Sequence, residues 1–435
     1  MKNLVFALTV FWTAGAAAAL SMPTVETYEG GRKMCETSYP EIIEREKGFF
    51  VSVPVDYAKP ALGTTDIYAY FSGGYDVKKE TVIYFTGGPG QPAHWPLFSR
   101  EMPFNFLIME QRGIGCSRPA TLQQYLNPSF YSSENVARDA EQIRKFLKIS
   151  RWSVYGVSYG TVPATIYGSL FSAVTRAVVL EGVVFTGDLS LWEGPHRRKI
   201  LQKVIDSLPV FVVDRLEKIS SEHGISNLWF SIVARGQLMY YRGAEQLRDK
   251  FLALSDDTQY EKLVHELKVL FATTPSQGHP LFMPNEIPYY MISCQEFNMA
   301  SDKLSMSDVL VNRKLVPSLD KSSPAICRQL KAQSTRSYFA KNYPLQVPVT
   351  YFQGSTDSAT PAPHAIAHFK HVAKKSAQLM ILVEGGHNPN LQLLSEEETH
   401  QTNFFSSAVL GQKISADTVK KSNAESDYFW AYTAR

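Results

Sequence analysis

Three absences narrow the classes this sequence can join. No internal repeat is visible, which excludes solenoid, collagen-like and coiled-coil architectures. Beyond the N-terminus no run approaches the roughly 18 uninterrupted apolar residues of a membrane span, which excludes a polytopic membrane protein. Neither sign of charge dominates: 44 Lys and Arg against 41 Asp and Glu leave a net charge of +3. With no long Lys/Arg block, the chain carries no footprint for nucleic acid. Cysteine is scarce, at four in 435 residues. What is abundant is apolar: 44% hydrophobic residues predict a substantial buried core, and 22 Tyr and 25 Phe suit a protein with a large lined cavity.

The N-terminus reads as a leader. Lys2 gives a positive start, Leu4 to Trp12 an apolar stretch, and Ala14 to Ala19 a small-residue tract, with cleavage expected after Ala19. No Cys follows closely enough for a lipoprotein anchor, so the mature chain is expected in the periplasm or outside the cell, free of the membrane. Export changes the meaning of Cys35, Cys116, Cys294 and Cys327. Their spacing fits no zinc pattern, and an even set in an oxidising space suits disulfides. Of the possible pairings, Cys35–Cys116 with Cys294–Cys327 is favoured, one tying the N-terminal region to a later loop and one closing a loop within a segment. Buried free thiols are the alternative.

From about Phe49 to Val184 short apolar runs alternate with turns and a helical stretch. Thr81–Phe85, Phe106–Met109, Ser153–Tyr155 and Ala177–Val184 read as strands, and Glu134 to Lys148 as a helix. Strands alternating with helices predict a mostly parallel α/β sheet. From about Leu189 to Tyr343 the texture turns helical and irregular, with apolar spacing of three and four over Leu201–Leu208, Gly236–Leu254 and Tyr260–Phe271. Strand texture returns at Val347–Gln353 and Gln378–Glu384. The economical division is a leader over 1–19, the first part of a catalytic core over 20–188, a helical cap over 189–343, and the second part of the core over 344–435.

The chemistry sits where the strands end. Gly156-Val157-Ser158-Tyr159-Gly160 follows a strand and precedes a helix from Thr161, the setting in which a strained turn lifts a serine hydroxyl clear of the sheet. A small-residue turn that merely packs helix on sheet would use the same glycines. A serine needs a base, and the base an orienting acid. Asp357 follows one late strand and His387 the next, in the chain order Ser, Asp, His that such a fold demands. Glu181 and Asp188 are the alternative acids. The oxyanion hole needs two backbone donors: the N–H of Tyr159, directly after the serine, and one from Thr86-Gly87-Gly88-Pro89-Gly90. Pro89 has no N–H, which leaves Gly88.

Gly87-Gly88-Pro89-Gly90, Glu110-Gln111-Arg112-Gly113-Ile114-Gly115-Cys116-Ser117 and Gly156-Val157-Ser158-Tyr159-Gly160 together resemble the proline iminopeptidase and tripeptidyl aminopeptidase family of serine peptidases. Val53-Pro54-Val55-Asp56-Tyr57 and the stretch from Pro348 to Thr360-Pro361, ending at Glu384-Gly385-Gly386-His387, are similar to its secreted tripeptidyl-aminopeptidase-like branch. The resemblance covers both parts of the core and little of the cap. It implies an α/β-hydrolase fold with a helical cap, a serine aminopeptidase activity without cofactor or metal, and peptide substrates with a free N-terminus. It also implies an acidic cap residue holding the substrate's α-amine, and Cys294-Gln295-Glu296 looks like the Cys-x-Asp/Glu element that supplies it, so Glu296 is the candidate. Thr86 stands where the iminopeptidases usually have His, and Glu110 where they usually have Asp. Rival functions are a secreted esterase or lipase using the same three residues, and a binding protein on a retained scaffold.

Other features read as structural. His364, His368 and His371 share one helix face, but no Cys or carboxylate completes a metal set, and the neighbouring lysines suggest a solvated surface. Arg197-Arg198-Lys199 reads as a solvated cap face. Arg112 is expected to brace the loop beneath the site rather than touch substrate.

Overall fold

The computed structural model describes residues 20, 22–93, 102–186, 191–192, 194–272, 285–333, 336–396 and 398–435. The expected leader at 1–19 and the alternative acid Asp188 lie outside the described residues. Among the described residues no helix is long and apolar enough to cross a membrane.

A nine-stranded sheet forms the centre, in the order β1 (Phe49–Pro54), β2 (Thr64–Ser72), β4 (Asn105–Met109), β3 (Thr81–Phe85), β5 (Trp152–Val157), β6 (Thr175–Glu181), β9 (Val349–Gly354), β10 (Ala377–Leu382) and β11 (Trp430–Ala434). From β4 to β10 neighbouring strands are parallel, while β2 and β11 run antiparallel to their neighbours. An antiparallel second strand, a crossover that puts β3 between β4 and β5, and helices on both faces make this the α/β-hydrolase fold. The central strands β3, β4 and β5 are buried along their whole length. That is why they read as continuous apolar runs rather than as alternating ones.

Alternate residues of the same strands feed two cores. Ile83, Leu107, Val154 and Val178 face helices Ser133–Phe146 and Thr161–Leu170. Val82, Phe106, Tyr155 and Val179 face Leu393, Phe404, Phe405 and Val419 of the C-terminal helices. Between β6 and β9 lies a unit with a core of its own, including Leu201, Val212, Leu216, Phe230, Leu247, Phe251 and Leu267. It is not wholly helical, because β7 (Ser307–Val311) and β8 (Lys314–Ser318) form a two-stranded hairpin whose Leu315 joins that core. The single helical stretch expected over Gly236–Leu254 is two helices, Trp229–Gln237 and Gly243–Ala253, parted where Arg242 takes a left-handed conformation (φ 53°). Spacing of three and four runs across that break, so periodicity alone could not locate it.

The cysteines pair as Cys35–Cys116 and Cys294–Cys327. Two readings need correction. His364 and His368 are buried rather than solvated: His364 meets Phe185 O at 2.7 Å, and His368 sits between Tyr351 Oη and Thr165 Oγ1. Burial pushes the His368 imidazole down to about 3, so it stays neutral. Arg197 is also buried, paired with Asp308 at 2.8 Å, and Arg198 binds the same carboxylate at 2.6 Å. Charged runs conceal such pairs because the partner lies about a hundred residues away, in β7.

Candidate active site

Ser158 sits between β5 and the helix Thr161–Leu170 with φ 55°, the left-handed backbone that a β-carbon resists. The turn closes because its flanking residues lack side chains. A Cβ on Gly156 would lie 2.3 Å from Gly160 O, and one on Gly160 would lie 2.1 Å from Phe85 O at the end of β3. Any larger residue would force the helix away from the sheet and lower the serine. Thr161 Oγ1 donates to Ser158 O at 2.6 Å and accepts from Val184 N at 3.0 Å, tying the turn to the segment after β6.

Asp357 and His387 come from the loops after β9 and β10, and their side chains meet at 2.8 Å through Oδ2 and Nδ1. Both are buried. Oδ2 also accepts from Gln353 Nε2 and Thr360 Oγ1, each at 2.9 Å, and Oδ1 accepts from the backbone N–H groups of Ala359 and Thr360. Burial alone would raise the pKa of Asp357, but the charge and hydrogen bond of His387, with the two backbone donors, outweigh it. The net shift is downward. The carboxylate is therefore ionised and committed to one ring nitrogen. Thr360 Oγ1 lies 3.3 Å from the same nitrogen and fixes the angle between the two groups. Neither Gln353 nor Thr360 stands out in the sequence; only their separations of four and three residues from Asp357 could have flagged them.

Glu181, the alternative acid, is engaged elsewhere. Its carboxylate accepts from Tyr155 Oη, from Asn390 Nδ2 at 3.2 Å and from Leu391 N at 3.0 Å, at the start of the helix Pro389–Ser395. Burial holds it up at about 6.

The Gly-rich turn after β3 lies against the serine: a Cβ on Gly87 would stand 3.1 Å from Ser158 Cβ. Gly88 has φ 107°, outside the range of ordinary L-residues. Tyr159 is buried, and its hydroxyl lies 2.9 Å from Ser133 Oγ. Glu296 is buried too, at 6% exposure, so it is no surface residue of a cap helix. It ends the helix Glu286–Glu296 and accepts from Ser133 N at 2.8 Å and from Ser133 Oγ. Burial holds its carboxyl up at about 7, against the pull of those two donors.

The unit between β6 and β9 reaches the loops of Asp357 and His387 directly. His387 N donates to Met239 O at 3.0 Å, Arg242 N to Glu384 O at 2.8 Å, and Ser358 Oγ to Arg235 O at 3.0 Å. The break between the two cap helices is thus the place where the cap grips the loop carrying His387. Among the described residues no cluster of three or more His, Cys, Asp or Glu side chains could hold a metal.

Part of the chain is similar in sequence to known proteins. A probable proline iminopeptidase of Streptomyces coelicolor is 32% identical over 103 residues, which make up 23% of this chain and 32% of that protein. Over that stretch the chain is similar to proline iminopeptidases. The Neisseria meningitidis proline iminopeptidase is 30% identical over 105 residues, again 23% of this chain and 32% of its own. A tripeptidyl aminopeptidase of Streptomyces lividans is 25% identical over 196 residues, 33% of this chain and 36% of that one. The chain therefore spans about a third of the length of the curated relatives it matches. No family model matches. Solved structures of similar shape include a thermophilic esterase from Thermogutta terrifontis, at 13% identity and a TM-score of 0.43 over 84% of this chain and all of that one. A proline iminopeptidase-related protein from Thermus thermophilus scores 0.42 at 14% identity, over 83% of this chain and 98% of its own.

Proposed function

We propose that this protein is an exported serine hydrolase, an aminopeptidase that cleaves peptides from a free N-terminus through an acyl-enzyme. One observation carries the reading: a strained Ser158 at the end of β5, with a buried Asp357–His387 pair supplied by the loops after β9 and β10 of the same sheet. In this mechanism Ser158 attacks the scissile carbonyl while His387 Nε2 takes its proton and returns it to the leaving amine. Asp357 holds Nδ1 protonated and stabilises the imidazolium. The N–H groups of Gly88 and Tyr159 receive the developing oxyanion, and water then releases the acyl group. No step calls for a cofactor. The relatives' names support a peptide rather than an ester substrate, and two disulfides support an oxidising compartment.

The test is a panel of aminoacyl, prolyl and tripeptidyl anilides, free and N-acetylated, with short-chain esters, given to wild type and Ser158→Ala. Turnover of free-amine anilides that the mutant loses supports the reading and ranks substrate length. Ester cleavage without anilide turnover moves the protein to the esterases, and an unreactive Ser158 leaves a binding protein.

Glu296 is assigned the substrate's α-ammonium. Its carboxyl, held up at about 7, loses its charge below that pH, while an α-amine loses its own above about 8. KM for free-amine substrates is therefore expected to rise as pH falls below about 7, with acetylated substrates unaffected. Glu296→Gln should abolish that slope and shrink the preference for free over acetylated substrates. Parallel KM profiles for the two substrate sets would remove Glu296 from this role.

A further inference from the structure

The turn Thr86–Gly90 must hold a backbone N–H toward the oxyanion, yet three of its five residues are glycines, which have little conformational preference of their own. Its shape has to come from neighbours. Gln111, two residues beyond β4, is 2% exposed, and among the described residues its side-chain nitrogen meets this turn alone. Nε2 donates to Thr86 O at 2.9 Å and lies 3.2 Å from Thr86 Oγ1. Thr86 Oγ1 in turn donates toward Gln91 O at 3.4 Å, bridging the two ends of the turn. The far end is held from the cap, where Asn285 N donates to Gly90 O at 2.8 Å.

The peptide plane decides what this does. In a trans peptide the C=O and the following N–H point in opposite directions. Pinning Thr86 O therefore fixes the plane of the Thr86–Gly87 peptide and the start of the turn from which the Gly88 N–H projects. The turn lies close beside the serine, since a Cβ added at Gly87 would stand 3.1 Å from Ser158 Cβ and 2.6 Å from Gln91 Oε1.

We propose that Gln111 is a positioning residue for the oxyanion hole, acting through Thr86 on the direction of the Gly88 N–H. The proposal rests on the reading of Gly88 as an oxyanion donor. It also gives Thr86 a role that its hydroxyl and carbonyl fill together, as the residue through which the loop after β4 controls the turn after β3.

The experiment compares wild type with Gln111→Leu, Gln111→Glu and Thr86→Val in the full mature chain. It measures kcat and KM on one anilide and one ester, the Ki of a peptide aldehyde, which forms a tetrahedral adduct with the serine, and the Ki of the matching peptide acid. Loss of the donor is expected to lower kcat on both substrates by roughly tenfold to a hundredfold, at or below the effect of deleting an oxyanion donor outright. KM and the peptide acid should change by less than about twofold, and the aldehyde should weaken by the same factor as kcat. A general packing defect would lower thermal stability and disturb KM and acid binding without singling out the tetrahedral species. Thr86→Val keeps its shape and its carbonyl contact, and should show a smaller loss of the same pattern. It keeps the question decidable if the Gln111 variants do not fold. Wild-type kcat and aldehyde affinity in any folded variant overturn the proposal. Fluorophosphonate labelling of wild type, lost in Ser158→Ala, is measured alongside. Its absence would defeat the hydrolase reading itself, whereas its presence with unaltered Gln111 variants would defeat only this inference.

Discussion

Asp357→Asn is expected to lower kcat by about 10⁴-fold while leaving KM within a few-fold of wild type. The reason lies in the donors that surround the carboxylate. His387 Nδ1, Gln353 Nε2 and Thr360 Oγ1 converge on Oδ2, and two backbone N–H groups on Oδ1. An amide must put an NH2 into one of these places. Facing His387, the NH2 forces Nδ1 to become the acceptor and moves the ring proton to Nε2, where the base is needed. Facing the backbone, it leaves two buried N–H groups without an acceptor, which the fold resists. The first outcome strands only Gln353 Nε2, whose own oxygen is held by Val183 N, and removes the base. Pre-steady-state acylation of the variant by an activated ester reads the defect directly. A loss under about tenfold would mean that Asp357 does not orient His387, since other triads do not tolerate this change.

The fold was legible where apolar runs meet turn residues. Thr81–Phe85 coincides with β3, and the other expected strands fall within a few residues of those observed. The antiparallel strand β11 was not read, because Trp430–Ala434 mixes buried and exposed positions at an edge and carries no long apolar run. The candidate site was legible for a different reason. Ser158, His387 and the Gly-rich turn are marked by glycine, whose placement follows from backbone geometry and is visible in one dimension. Gln353, Thr360, Gln111 and Ser133 act through side-chain contacts across 3 to 163 residues of chain, and nothing local distinguishes them from any polar residue. His364, His368 and Arg197 were misread for the same reason.

Distance along the chain also hides how the cap serves the core. One cap helix, Glu286–Glu296, touches both halves of the proposed oxyanion hole. At its start Asn285 holds Gly90 O; at its end Glu296 binds Ser133, whose hydroxyl meets Tyr159. The disulfide Cys294–Cys327 fastens that end to the helix Ser322–Gln329. A substrate amine arriving at Glu296 would therefore dock on the same helix that frames the oxyanion, so the amine-binding and reacting ends of a short peptide share one rigid support.

Arg112→Met is expected to destabilise the fold by about 3–5 kcal/mol, read as a lower midpoint of denaturant unfolding. Arg112 is buried and binds Asp139 by two parallel hydrogen bonds of 2.5 and 2.7 Å. It also donates to Val55 O and Pro54 O, at the end of β1, and lies over the rings of Phe130 and Tyr57. Removing the guanidinium leaves a buried carboxylate with Tyr57 Oη as its remaining donor, together with two carbonyls that lose their partner. The expected remedy separates charge from packing. Arg112→Met with Asp139→Leu removes both charges and should recover more than half of the lost stability, because a buried pair stabilises little against apolar residues of similar size. No recovery in the double variant would mean that the hydrogen bonds to Val55 and Pro54, rather than the stranded carboxylate, carry the cost. Activity supplies a second readout. Arg112 is the residue after Gln111, so loosening it frees the loop that pins the oxyanion turn. The double variant should regain stability without regaining kcat, since nothing in it restores the anchor between that loop and β1.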